Sequence, residues 1–237
     1  MLMIAGAIVC IGLIVFAHMM QLWITAMILL VIASCYLHTT LRGKFRVWRT
    51  LLDGLALRGD ERILDLGCGR GTVLLMVAEY LPHGRAVGID IWSSKDQSGN
   101  ALAVTRGNAV TEGVADRIEL HTADMRQLPF ENASFDAIVS NVAIHNISAK
   151  AGRDLAIDEA WRVLRPGGRL LIADISKSRQ YLQRLVGLGA TVVRHNLGWR
   201  MWWGWPLAST TLIDARKPTS SLSELPARAE ASERGLA

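Results

Sequence analysis

Residues 62–72 read RILDLGCGRGT. A short apolar run closes on an acid, Asp65, and gives way to glycines at three alternate positions, Gly67, Gly69 and Gly71. Glycine carries no Cβ, so a run of this kind lets the backbone turn sharply and come close to a ligand. Between a buried strand and an apolar helix, such a turn belongs to the layered α/β folds, where ligands sit beyond the carboxyl ends of parallel strands.

The rest of the chain keeps the rhythm that this reading requires. After 62–67, residues 72–81 set Val73, Leu74, Val77, Ala78 and Leu81 on one helical face. Residues 84–90 form a second strand, 97–112 a helix, 117–124 a third strand and 135–141 a fourth. A helix over 149–164 turns Ile157, Ala160, Trp161 and Leu164 inward, Pro166-Gly167-Gly168 stops it, and 169–175 is a fifth strand. Residues 190–196 and 209–217 are two closing strands. Strands this apolar, alternating with helices, predict a doubly wound, seven-stranded, mostly parallel sheet covered on both faces. From Pro218 onward the chain lacks periodicity and reads as a disordered tail.

The amino-terminal part is of another kind. Residues 1–37 hold no Asp, Glu, Lys or Arg, so the apolar excess of a chain with 51% hydrophobic residues is concentrated rather than spread. Two uncharged runs, 2–17 and 22–37, flank His18, Met19, Met20 and Gln21. Each spans about 24 Å as a helix, short of a hydrocarbon core of roughly 30 Å, while both together exceed it. A tight hairpin, one span with an interfacial piece, and a secretory signal are the options. No positive charge precedes the run, which disfavours the signal. Arg42, Lys44, Arg46 and Arg49 follow it directly. A basic flank stays on the cytoplasmic side, so 1–41 reads as a membrane anchor and 42–217 as a domain facing the cytoplasm. A helical hairpin buried on the domain is the alternative. The net charge of +5 is explained by this flank and calls for no nucleic acid. Cys10, Cys35 and Cys68 show neither a pairing framework nor metal-ligand spacing, so a reducing compartment fits and no metal is expected.

Two cofactor classes use a glycine turn of this sort. The dinucleotide fingerprint needs its third glycine at position 72, which is Thr72, and the acid at Asp65 suits a ligand with an ammonium group better than a pyrophosphate. Asp90, closing the second strand, is placed to accept hydrogen bonds from ribose hydroxyls of either cofactor. In order along the chain, LDLGCGRGT, VGIDI, TADMRQLPF, FDAIVSN and LRPGGRLLIADI resemble the motif series of class I S-adenosylmethionine-dependent methyltransferases. The resemblance, over about residues 59–217, is to the small-molecule branch that includes ubiquinone and menaquinone methyltransferases. It implies that Asp65 with Gly67, Gly69 and Gly71 holds the methionine end of S-adenosylmethionine. It places the ribose on Asp90, the adenine ring on Ile91, the adenine amino group on Asp124 beside the Met125 backbone, and Asn141 near the transferring methyl.

Methyl transfer from a sulfonium needs alignment and a site poor in water, and a base only where the acceptor must lose a proton. His145, after the fourth strand, is the candidate catalytic base, with a hydrogen-bonded loop histidine as the other reading. His121 reads as structural and His83 as an exposed turn residue. Ser140-Asn141-Val142-Ala143 lacks the Pro-Pro of amino-directed nucleic-acid methyltransferases. Residues 92–101, with Lys95, Asp96 and Gln97, depart from the quinone enzymes and read as a helix cap or a cover on the cofactor. Trp199, Trp202, Trp203 and Trp205 crowd into GWRMWWGWP; they suit a membrane interface that shapes access for an apolar acceptor, or core packing between the last strands. The expected function is therefore methylation of a lipophilic or membrane-associated small molecule, with membrane lipid as the further partner. A membrane-tethered cofactor-binding protein without catalysis and, less favoured by Thr72 and Asp65, an NAD-binding oxidoreductase are the rivals.

Overall fold

The computed structural model describes residues 2–96, 98–203 and 209–219, with side chains from residue 10 onward. Gln97, Trp205 and the tail beyond Thr219 lie outside the described residues. Seven strands form one sheet: β1 (Arg62–Leu66), β2 (Arg85–Asp90), β3 (Ile118–Thr122), β4 (Phe135–Asn141), β5 (Leu164–Asp174), β6 (Thr191–Asn196) and β7 (Thr211–Arg216). Their order is β3-β2-β1-β4-β5-β7-β6. Only β7 runs against its neighbours, pairing antiparallel with both β5 and β6. The seven-stranded, mostly parallel expectation matches this sheet.

The helices are α1 (Leu2–His38), α2 (Lys44–Asp53), α3 (Thr72–Glu79), α4 (Leu102–Thr111), α5 (Lys150–Val163) and α6 (Ser178–Gly187). Successive strand residues face opposite ways, and the core divides accordingly. Leu64, Leu66, Val87, Ile89, Leu170 and Ile172 pack with Ala156, Ile157 and Ala160 of α5 and with Tyr181 and Leu185 of α6. Ile63, Ala86, Val139, Leu171 and Ala173 pack instead with Val73, Leu74 and Val77 of α3 and with Trp48 and Leu52 of α2. Burial of a Leu or Ile side chain contributes roughly 1.5–3 kcal/mol, which explains strands that read as unbroken apolar runs.

Three local readings change. The helix expected over 97–112 begins only at Leu102. Gly99 has φ +68 and Ala101 is extended, while the Asn100 amide donates to Asp90 Oδ1 at 3.1 Å, so this segment is pinned to the end of β2 rather than wound into helix. The stop at Pro166-Gly167-Gly168 lies within β5, which starts at Leu164 and changes register against β4 between Phe135 and Ala137. The two apolar runs at the amino terminus are one continuous helix, about 55 Å long at 1.5 Å per residue. Nothing in His18-Met19-Met20-Gln21 breaks a helix, since it holds neither glycine nor proline. From Cys10 to Leu37 almost every side chain is exposed, so α1 is not a hairpin buried on the domain.

α1 passes through a π-helical turn, Thr39–Gly43, directly into α2. α2 and α6 were not apparent in the sequence reading, α2 because its arginines register as a membrane flank.

Ile138 lies fully buried in the central strand β4, whereas Val193 on the edge strand β6 is half exposed. Ile138→Ala is expected to cost about 2–5 kcal/mol in denaturant unfolding of the full chain in detergent. Val193→Ala should stay within about 0.5 kcal/mol.

Candidate active site

Strand order reverses direction between β1 and β4, and the cleft opens there, at the carboxyl ends of the strands. It has a volume of about 560 Å³. Asp65 enters it from β1, Asp90 from the end of β2, Asp124 from the turn after β3, and Asn141 from the end of β4. The parallel sheet brings together residues spread over 76 positions of sequence, from 65 to 141.

The glycine turn forms the floor. The amides of Gly67 and Cys68 both donate to the Ile89 carbonyl, at 2.9 and 3.0 Å, locking the turn to the neighbouring strand. Gly67 has φ +72, and a Cβ there would stand 2.5 Å from the Ala143 Cβ. Gly71 has φ +90, and a Cβ there would press on Thr105 and Leu75. Thr105 of α4 donates to the Gly69 carbonyl at 2.7 Å. α3 starts after Gly71 without a side-chain cap.

Two carboxylates stand in this floor. Asp65 is only 2% exposed, and its Oδ1 has no hydrogen-bond partner. Burial, and next the charge of Asp90, push its pKa up to about 8, against a partial offset from the Leu74 amide. Burial and the same two acids push the Cys68 thiol far up, so it is not a nucleophile. Asp90 is better satisfied: Oδ2 accepts from the Gly69 amide at 2.8 Å, and Oδ1 from the Trp92 amide at 2.7 Å and from Asn100. Asn100, whose own Oδ1 lacks a partner, also lines the cleft. An orphaned buried carboxylate beside a second acid fits a cationic ligand group, and acceptors at Asp90 and Asn100 fit hydroxyls. The residues present thus fit an aminoacyl nucleoside such as S-adenosylmethionine.

On the far wall, Ile91 is exposed and lines the cleft together with Met125. Asp124 accepts from the Arg126 amide at 2.9 Å and its guanidinium at 2.5–3.0 Å. Chiefly that guanidinium holds its carboxyl below the usual range. Asn141 Oδ1 accepts from the indole N–H of Trp48 at 3.0 Å, and the buried Ser140 hydroxyl donates to the Leu66 carbonyl at 2.9 Å. Val142 follows with φ +53, a strained conformation for a β-branched residue.

His145 is placed differently. Ala143, Asn146 and Ile147 line the cleft, whereas His145 stands in the 3-10 turn Ile144–Asn146 outside that lining, 18% exposed. Its Nδ1 is 2.6 Å from Asp174 Oδ1 without the alignment of a hydrogen bond, and its amide donates to Asp174 Oδ2 at 3.1 Å. The Tyr181 hydroxyl donates to the same oxygen at 3.2 Å. His121, in β3, contacts Glu119 at 2.5 Å and the edge of Phe130, and His83 is exposed. Sequence reasoning missed Tyr36 and Lys44 as parts of the cleft; they line it together with Trp203, which the sequence offers as shaping access for an acceptor. Nothing in sequence joins positions so far apart, although the spacing of Trp48 and Leu52 was a sign that α2 packs on the domain.

Asp65→Asn separates the electrostatic contribution from the shape of the site. With its folded pKa raised, Asp65 favours the folded ligand-free protein below the ordinary carboxylate value near 3.8, and that contribution is lost as pH rises to about 8. Unfolding free energies of the wild type should therefore fall with pH across this window relative to Asp65→Asn. Parallel pH profiles would contradict the assignment.

Residues 63–168 match the family described as "Methyltransferase domain". Among curated proteins, the chain is 36% identical over 138 residues to the ubiquinone/menaquinone biosynthesis C-methyltransferase of Brucella anthropi, covering 57% of this chain and 49% of that one. It is 32% identical over 158 residues to the demethylmenaquinone methyltransferase of Roseiflexus castenholzii, covering 62% and 61%. The chain thus spans about half the length of the first of these and three fifths of the second. In fold it resembles the [4+2]-cyclase SpnF, with a TM-score of 0.60 at 21% identity over 74% of this chain and 82% of that one. It also resembles the geranyl diphosphate C-methyltransferase of Streptomyces coelicolor A3(2), with a TM-score of 0.57 at 17% identity over 73% and 80%. Sheet order, glycine turn and these likenesses together show that the chain carries a class I S-adenosylmethionine-dependent methyltransferase domain resembling the ubiquinone/menaquinone C-methyltransferases.

Proposed function

We propose that the protein methylates a lipophilic, membrane-associated small molecule, of which a quinone precursor is the nearest chemical class, with residues 1–41 as its membrane anchor and 42–217 as its catalytic domain. The observation that carries the reading is the orphaned, buried Asp65 beside a glycine turn that has no room for a Cβ at Gly67. Support for the acceptor class comes from the names of the curated relatives, which concern quinones. A helix long and apolar enough to cross a membrane supports the anchor. The exposed Arg42, Arg46 and Arg49 at its end each add about 1 kcal/mol of attraction to an anionic leaflet and put the domain on the cytoplasmic side.

S-adenosylmethionine, when bound, supplies a methyl group already activated on a sulfonium sulfur. The chain binds and aligns. Asp65 takes the ammonium group and the Gly67–Gly71 loop gives the backbone room to approach. Asp90 and Asn100 accept from hydroxyls, Ile91 and Met125 cover the base, and Asp124 receives its amino group. Asn141, held at its Oδ1 by Trp48, keeps its amide N–H for the reacting end of the cleft. For an acceptor that must lose a proton, His145 is the base, with Asp174 beside Nδ1 fixing the orientation of the ring; it reaches the cleft only by a side-chain movement or through a water.

The full chain in detergent should bind S-adenosylhomocysteine and not NADH in calorimetry. Asp90→Ala should weaken that binding by roughly 1.5–3 kcal/mol, tenfold or more, because it frees the Gly69 amide as well as removing an acceptor. Binding of NADH in place of S-adenosylhomocysteine sinks the proposal. His145→Asn should lower kcat on a demethylated quinol in vesicles, with S-adenosylhomocysteine affinity unchanged.

A further inference from the structure

The cleft has a wall that the methyltransferase chemistry does not explain. Tyr36, from the last turns of α1, and Lys44, the first residue of α2, line it beside Trp203. Helix and domain meet there in a close dock. Thr39, fully buried, donates its hydroxyl to the Trp202 carbonyl at 2.7 Å and accepts from the Trp202 amide at 3.0 Å. Gly43 lies so near the 3-10 turn Gly198–Met201 that a Cβ would collide with the Arg200 carbonyl oxygen. The His38 and Trp199 rings stand 4.7 Å apart, and Tyr36 and Trp203 meet edge to face at 6.1 Å. From the same continuous helix, Trp48 reaches Asn141. A flexible tether would need none of these contacts.

The dock also fixes a height. Tyr36 lies where the exposed apolar stretch of α1 ends and the basic residues 42–49 begin. Trp199, 62% exposed, sits on that boundary together with the exposed Arg200. Aromatic rings bordered by cations belong at the plane between hydrocarbon and headgroups. We infer that the end of α1 and the Trp199–Trp203 segment form a rigid portal at the bilayer surface, through which a membrane-dissolved amphiphile with a planar head reaches the cleft, with Tyr36 and Trp203 as its aromatic wall. The inference rests on the methyltransferase reading only for what occupies the inner half of the cleft. The π-helical turn serves as the joint that converts the direction of the membrane helix into the orientation of the cleft.

The portal is testable without knowing the acceptor. In the full chain with Cys10 and Cys35 replaced by Ser, Trp203→Cys is placed in vesicles whose phosphatidylethanolamine headgroups carry maleimide. Val110→Cys, on the exposed face of α4, is the control. The portal predicts rapid labelling of position 203 by the lipid-borne reagent and little at position 110, while a soluble maleimide labels 110 readily. Thr39→Val and Gly43→Val should each lower lipid-borne labelling of position 203 severalfold while a soluble maleimide still reaches it. Equal lipid-borne labelling at 203 and 110, or a rate at 203 indifferent to both joint variants, would overturn the portal. Failure of the same protein to bind S-adenosylhomocysteine in calorimetry would count against the methyltransferase reading alone, since the labelling pattern needs no cofactor.

Discussion

A carboxylate buried beside another carboxylate, with one oxygen lacking any donor, is costly for a folded protein to keep. Asp65 is held in that state by the central strand β1 and the helix α3 packed on it. The surrounding architecture keeps the cost from being relieved internally. The glycine turn leaves no side chain to fill the space, the sheet leaves the strand no freedom to retreat, and Asp90 spends its own oxygens on the loop. What remains is a buried acid whose pKa is pushed up to about 8 in the ligand-free protein and whose ionised form is best met by a cation from outside. Electrostatic strain of this kind is a common property of binding sites.

Around that pocket the protein divides its labour by secondary structure. Strand ends supply the residues that must not move, Asp65, Asp90 and Asn141. Loops supply those that shape the cover, Ile91, Met125 and the turn after β4. Val142 in a left-handed conformation marks where β4 is forced to leave the sheet, and the Ala143 methyl beside Gly67 shows how closely the two loops meet. His145 faces away from this junction toward Asp174 and Tyr181, so the turn that carries it is held from behind by the core under α6. The cyclase among the structures of like fold is a reminder that such a frame can serve other chemistry; the acids at the glycine turn, rather than the sheet, speak for the cofactor.

The amino-terminal helix is part of this system too. A passive anchor would be joined by a linker of small, polar residues. Here the helix continues through a π-helical turn into α2, and the buried Trp48 on α2 donates to the side chain of Asn141 at the end of β4. The tryptophan segment before β7 therefore has two kinds of neighbour. Met201 is fully buried, whereas Trp199 remains in the open beside α1. Among its described residues the segment is thus partly packed and partly exposed.

The fold and the inner half of the site were legible in the sequence because both depend on local patterns. Apolar strands in alternation with helices leave few arrangements, and an acid followed by alternate glycines is a backbone requirement that does not depend on distant residues. Sequence likewise revealed that residues 1–37 are uncharged, but not whether they fold once or twice, because helix continuity through His18–Gln21 depends on the absence of a breaker rather than the presence of a signal. The start of α4 was misplaced because Asn100 is drawn to Asp90, a contact ten residues away. Beyond that reach the tertiary structure decided. It turned His145 toward Asp174, joined Trp48 to Asn141, and set Tyr36 and Trp203 on one wall. Such pairings arise from side chains on elements that the chain brings together only after the sheet has closed, and no local pattern of residues encodes them.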